Sequence, residues 1–318
     1  MSKMHEDLRL MLKCCTLYYE KEWGQAEIAK RLNISRPTVS RLLKQAKLEG
    51  IIKIQINSPL EKECYLLEKQ LEEKFNLKEA IIVEDRYNSK NELEELGHEV
   101  CKYLYRVLKE GDKIGVSMGG TLTKIPKFAN NLAFKNIEFI SLVGGVDQSD
   151  IQKHSNELVI EFAKSYGGKY KFLHGPAMIS DIKIKEALMN DSNIRDIFYS
   201  MDNMNVAIVG IGNPIQKNST ILESVHISEE VKNDFQEKQA VGDICLQVYD
   251  IEGNTSIYEF NELVFGFDIN KLRQVNTVIG IAYGVEKVES IQGAINGNFI
   301  NVLATNYEVA KKLLDSSK

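Results

Sequence analysis

From Ala80 to Thr305, short apolar runs alternate with longer amphipathic segments, and this rhythm restricts the fold more than any other feature of the chain. The runs AIIVE (80–84), KIGVSM (113–118), IEFISLV (137–143), KYKFLHG (169–175), NVAIVGI (205–211), ICLQVYD (244–250), TVIGIAY (277–283) and INVLAT (300–305) read as strands. Segments such as NELEELGHEVCKYLYRVLKE (91–110) lie between many of them. That alternation predicts α/β architecture with a doubly wound, mainly parallel sheet. Several runs end in glycine, at Gly119-Gly120, Gly144-Gly145, Gly175, Gly210, Gly212 and Gly284. Ligands on such sheets bind beyond the carboxyl ends of the strands, where glycine lets the backbone come close. Any one of these glycines reads equally well as a turn residue. The set as a whole predicts a small-molecule cleft.

Within that set, SMGGTLTKI (117–125) is the best phosphate cradle. Ser117 and Thr121 offer hydroxyls, Gly119 and Gly120 offer N–H groups, and a helix start would aim its positive end at an anion. The stretch is neither a Walker loop nor a GxGxxG fingerprint, and GIGNP (210–214) lacks a third glycine, so nucleotide binding is not indicated.

The first 58 residues follow another pattern. Leu8, Leu12, Cys15 and Tyr19 recur at helical spacing, and QAEIAKRL (25–32) places Ala26, Ile28, Ala29 and Leu32 at apolar positions. Asn33 tolerates the backbone angles of a tight link, Ser35 can cap the next helix, and Pro37 falls in its first turn, where a missing N–H costs nothing. Val39, Leu42, Leu43 and Ala46 share one face, and Gly50 ends the helix. This is the pattern of a helix-turn-helix, although any small helical bundle could share its apolar positions. Its second helix would enter a DNA major groove with Arg36, Thr38, Ser40, Arg41 and Lys44 outward, and with Gln25, Ser35 and Pro37 beside the duplex. IIKIQIN (51–57) alternates like a strand and predicts a wing or a strand packed on the helices.

Charge agrees with this division. Residues 1–58 hold 11 Lys and Arg against 6 Asp and Glu, which leaves 29 against 39 for the remainder. Between Lys30 and Lys53 stand seven basic residues and one acid, Glu49. A basic end on a chain of net charge −5 predicts a local anionic partner. The cysteines at 14, 15, 64, 101 and 245 form no CxxC pair and no zinc spacing, and the five histidines give no metal motif, so no metal or cofactor is expected. The N-terminus lacks a signal-peptide core and no long apolar run occurs; a cytoplasmic protein with no membrane partner is the expectation.

The segment QAEIAKRLNISRPTVSRLLKQAKLEGII (25–52) resembles the DNA-binding domain of the SorC family of sugar-responsive bacterial transcription regulators, the group that includes the deoxyribonucleoside regulators. The likeness continues through GDKIGVSMGGTL, LVGGV, KQAVGDIC and GVEKVESIQGAI and covers nearly the whole chain. It implies a helix-turn-helix domain (1–58), a connector helix (59–78) and an effector-binding and oligomerisation domain (79–318). LEKECYLLEKQLEEKFNL, with Leu60, Cys64, Leu67, Leu71 and Phe75 on one face, reads either as that connector or as a helix packed on the second domain. The family implies a homo-oligomer, dimer or tetramer, that binds double-stranded operator DNA under control of a phosphorylated sugar.

In the family, the Gly-Thr turn at Ser117–Thr121 and a lysine matching Lys287 hold the sugar's phosphate, while Asp243 and His154 match sugar-facing positions. By themselves these three residues read as surface charge, a turn cap and a helix residue. Two departures stand out. Val143 occupies a place where some relatives carry a basic residue, and a neutral side chain cannot form a Schiff base or pair with a second phosphate. Gly120 and Tyr283 replace the threonine and glycine common in relatives, which points to a different effector. A repressor of sugar or nucleoside catabolism is the expected function. The alternative is a sugar-phosphate isomerase-like enzyme with Asp243 or Glu157 as base. That reading leaves the helix-turn-helix unexplained and shows neither carboxylate a partner.

Overall fold

The computed structural model describes residues 2–53, 62–84, 89–129, 134–146, 154–217 and 219–316. The chain divides into two compact units, Met1–Pro59 and Leu60–Lys318.

In the first unit α1 (Ser2–Cys15) leads through a π-helical turn, Thr16–Glu20, to α2 (Gln25–Leu32) and α3 (Arg36–Leu48). Asn33 ends α2 in the left-handed region, with φ 54°, and Ser35 caps α3 by accepting from Thr38 N–H at 3.2 Å. The core is Met11, Cys14, Cys15, Ile28, Ala29, Val39, Leu42, Leu43 and Ala46. The buried face of α1 therefore differs from the expected one: Leu8 and Leu12 are exposed, and Met11 and Cys14 point inward. Apolar residues occur consecutively at 10–12 and 14–15, so two stripes at helical spacing compete, and packing on α3 selects between them. Ala26 is exposed as well. Ile51–Lys53 forms no strand, and residues 54–57 of the expected wing lie outside the described residues.

The second unit runs α4 (Lys62–Phe75), β1 (Glu79–Val83), α5 (Ser89–Val107), β2 (Lys113–Val116), β3 (Glu138–Ser141), α6 (Ser155–Tyr166), β4 (Lys169–Lys171), α7 (Ile182–Met189), α8 (Ser192–Asp202), β5 (Val206–Gly210), α9 (Thr220–Ser224), α10 (Glu229–Glu237), β6 (Gly242–Ile244), β7 (Gln247–Tyr249), β8 (Thr277–Ile281), α11 (Val288–Asn296), β9 (Val302–Asn306) and α12 (Tyr307–Asp315). Seven strands form one parallel sheet in the order β1-β9-β8-β5-β2-β3-β4. Alternate side chains feed two cores: Ala80, Ile82, Ala207, Val209 and Leu303 on one face, and Ile81, Val83, Val206, Ile208 and Val302 on the other. Burial on both faces explains why these strands read as continuous apolar runs. One expected strand is not in this sheet. ICLQVYD forms most of the antiparallel β6–β7 hairpin, because Cys245 and Leu246 both take positive φ (54° and 63°) and reverse the chain within two residues.

Helix α4 closes the β1 edge of the sheet. Leu71 is fully buried on it, and Glu72 Oε1 and Glu68 Oε1 accept from Ala80 N–H and Ile82 N–H, each at 3.0 Å. The carboxylates thus occupy hydrogen-bonding positions that an unpaired edge would offer to another chain. Burial lifts the Glu68 carboxyl to about 7, an effect the Ile82 N–H opposes and Glu72 reinforces. A raised carboxyl contributes its stability fully below its ordinary value and loses it as pH rises through the folded one. Glu68→Gln keeps an acceptor for Ile82 N–H and removes the charge. It should raise the thermal midpoint at pH 8 and leave it nearly unchanged at pH 4. Thermal denaturation at the two pH values checks this; an equal shift at both would exclude the charge as cause.

Candidate functional site

The order of strands reverses between β2 and β5: β3 and β4 extend the sheet on one side, β8 and β9 on the other. A crevice forms at such a switch point. A cavity lies there, lined by Gly119, Gly120, Thr121 and Leu122 after β2, Gly210–Gly212 after β5, Asp243, Cys245 and Leu246 of the hairpin, and Ile281–Tyr283 and Lys287 after β8. Gly119 has φ 139°, a conformation that side chains strain to adopt, and an added Cβ there would meet open space. Residues Gly120–Lys124 then turn as a 3₁₀ segment rather than opening a regular α-helix.

Asp243 is brought in by the hairpin. Gly212 N–H donates to Asp243 O at 2.8 Å and Asp243 N–H returns to Gly212 O at 3.2 Å. A Cβ on Gly212 would stand 2.0 Å from Asp243 Oδ1, so glycine is required for this approach. Asp243 is 5% exposed, and its Oδ1 is buried without a hydrogen-bond partner. Such an acceptor costs about 1–3 kcal/mol until a donor reaches it. Burial pushes the Asp243 carboxyl up to about 6, and the Lys287 ammonium partly offsets that. Burial lowers Lys287, while Asp243 and Glu286 oppose the shift. The Cys245–Leu246 turn lacks the asparagine or glycine usual for paired positive φ, and each residue carries about 1–2 kcal/mol of strain. Both are buried, so packing holds the turn in this shape at the cavity wall.

The cavity gathers Gly119, Gly120, Thr121, Asp243 and Lys287 from sequence positions 168 residues apart. Ser117 is not on its wall: its hydroxyl donates to Met118 O at 3.3 Å and accepts from Gly210 N–H at 3.0 Å, tying β2 to β5. His154 is not on it either, and stands at the N-cap of α6. Ser155 hydroxyl donates to Val116 O at 2.7 Å and pairs with Ser141 at 2.8 Å, fixing that helix start at the ends of β2 and β3. His154 Nε2 and Asn156 Oδ1 are buried there without partners; nothing in the sequence singled out Asn156. Gly144 and Gly175 serve packing, not the cavity: a Cβ on Gly144 would lie 2.7 Å from Gly175 O, and one on Gly175 2.6 Å from the Phe265 ring, while Gly145 lies off the cavity too. Val143 is fully buried in the core and bridges Gly266.

In the first unit Arg36, Ser40, Arg41 and Lys44 are exposed on α3, opposite Val39, Leu42, Leu43 and Ala46. Positions 36, 40 and 44 line up one turn apart, with Arg41 beside them. The Ser35 and Thr38 hydroxyls bond each other at 2.7 Å, so capping engages both; Gln25 is half-buried at the start of α2, and Pro37 is exposed. Among the described residues no cluster of His, Cys, Asp and Glu could hold a metal ion, and no helix is long and apolar enough to cross a membrane.

A cationic helix-turn-helix and a parallel α/β unit with a polar switch-point cavity define a DNA-binding regulator with a small-molecule domain. Comparison with known proteins agrees. The sugar-binding domain family Sugar-bind matches residues 61–315, and sigma-70 region 4 matches residues 12–48. The chain is 33% identical to the sorbitol operon regulator of Klebsiella pneumoniae over 97% of this chain and 98% of that one. It is 32% identical to the deoxyribonucleoside regulator of Bacillus subtilis over 98% of both. The crystal structure of the full-length Klebsiella sorbitol operon regulator SorC superposes with a TM-score of 0.75 at 32% identity, covering 97% of this chain and 99% of that one. The chain belongs to the SorC family of sugar-responsive bacterial transcription regulators. It is a transcription regulator, as are the relatives named above.

Proposed function

We propose that the chain represses an operon for sugar or nucleoside catabolism and releases or changes its hold on DNA when a phosphorylated sugar binds. The observation that carries this is the meeting of three features in one cavity: the Gly119–Thr121 backbone turn, the Lys287 cation, and the unpartnered buried acceptor of Asp243. The turn and the cation suit a phosphate, and the carboxylate suits sugar hydroxyls. Relatives named for a sorbitol operon and for deoxyribonucleosides support the class. Binding is reversible, since Val143 cannot form an adduct and lies in the core. The regulator acts as a homo-oligomer on a pseudo-palindromic operator, because one small helix-turn-helix covers little DNA and symmetry doubles it.

Calorimetric titration with ribose, sorbitol and glucose beside their terminal phosphates tests the reading. The phosphate ester should bind more tightly than its sugar, and Thr121→Val should weaken it. Effector and operator must alter each other's affinity by the same factor. Equal affinity for a sugar and its phosphate would refute the phosphate anchor.

A further inference from the structure

The cavity wall carries one more polar group. Tyr283 lines the cavity with Lys287, and its hydroxyl donates to Glu92 Oε2 of α5. Glu92 is itself buried, 4% exposed. The Tyr283 ring packs against the α5-side core, which contains Leu96 and Leu122. The next residue, Gly284, has φ 103°, and its N–H donates to Asn306 Oδ1 at 3.2 Å. Hydroxyl, ring and following peptide are therefore all held, and the tyrosine cannot swing aside at low cost.

A phenol has one proton to donate. With that proton given to Glu92, the Tyr283 oxygen can only accept from a ligand. We propose that Tyr283 reads one hydroxyl of the effector as a hydrogen-bond donor, and that Glu92 is the positioning residue that enforces this role. The Asp243 carboxylate is a second acceptor group on the wall of the same cavity. A ligand must then donate at two points, which selects a polyhydroxy compound over its deoxy analogue. A site with buried polar groups rejects a ligand that leaves them unpaired. The proposal rests on the effector reading of this cavity.

The test is calorimetry on the full-length chain with ribose 5-phosphate, 2-deoxyribose 5-phosphate, sorbitol 6-phosphate, glucose 6-phosphate, the parent sugars and inorganic phosphate. Tyr283→Phe should weaken the tightest of the organic ligands about 3- to 10-fold, the worth of one neutral hydrogen bond, and leave inorganic phosphate unchanged. Glu92→Gln still accepts the phenol proton and should retain wild-type affinity. Glu92→Leu should show the Tyr283→Phe loss, again without a change for inorganic phosphate. Tyr283→Phe differs by a single oxygen, so the test does not depend on Glu92→Leu folding. Wild-type affinity in Tyr283→Phe, or an equal loss for inorganic phosphate, would overturn the assignment. If a parent sugar binds as tightly as its phosphate, only the phosphate anchor fails, and Tyr283→Phe is read on that sugar. Binding of none of these compounds overturns both.

Discussion

Arg36→Ala/Arg41→Ala should bind specific operator DNA about 30- to 20,000-fold more weakly than wild type. Each arginine sits exposed on the face of α3 opposite its buried residues, where a bidentate contact to a guanine is available. Loss of one such contact costs roughly 1–3 kcal/mol, and two independent contacts add. Lys44, one turn beyond Ser40, should behave differently. As a phosphate contact, its loss weakens binding to all sequences alike and lowers the salt slope by about one unit. Fluorescence anisotropy on duplexes selected from a random pool, against a scrambled duplex over a range of salt, separates the two behaviours. Wild-type affinity in the double arginine variant would remove α3 from the major groove.

The second large effect concerns Lys287 and the carboxylate beside it. Lys287→Ala removes the cation of the cavity and should weaken a phosphorylated effector about 10- to 150-fold, the range for a hydrogen bond to a charged group. The same variant removes the charge that offsets the burial of Asp243, so the Asp243 carboxyl should rise further. In the wild type, protonation near pH 6 converts Asp243 from the proposed acceptor for sugar hydroxyls to a neutral acid. Effector affinity should therefore fall as pH drops below about 6 and level off above 7. For the unliganded protein the sign is opposite. The raised carboxyl contributes most stability below 3.8, and this is lost as pH rises through about 6. Ligand binding and stability thus respond to acid in opposite directions, which titration calorimetry and thermal denaturation over pH 5–8 can resolve. Asp243→Asn should reduce both dependences, leaving the Glu68 contribution to stability and the phosphate ester's own second ionisation at about 6 to binding; a pH profile unchanged in that variant would assign the titration to another group.

The sequence by itself determined the elements. Asn33, Ser35 and Pro37 are local signals, read within a few residues, and they mark the turn and the start of α3 where the structure has them. Seven of the eight apolar runs form the parallel sheet, because burial on both faces leaves a continuous apolar signature. Gly119 was legible for the same reason, since its backbone angle is a local property. What failed was the choice between alternatives that only packing resolves. Leu8 and Leu12 share helical spacing with Met11 and Cys14, and contact with α3 decided which stripe is buried. Cys245 and Leu246 carry no turn signature, so the β6–β7 hairpin appears only where surrounding side chains hold them at positive φ. That hairpin places Asp243 against Gly212, 31 residues earlier, and leaves its Oδ1 unpartnered. Tyr283 and Glu92 are 191 residues apart and meet because α5 and the end of β8 pack on one face of the sheet. Periodicity, caps and strand-end glycines act over short stretches of chain and can be read there. The burial of a carboxylate and the direction of a phenol proton depend on groups distant in sequence, and only the tertiary structure decided them.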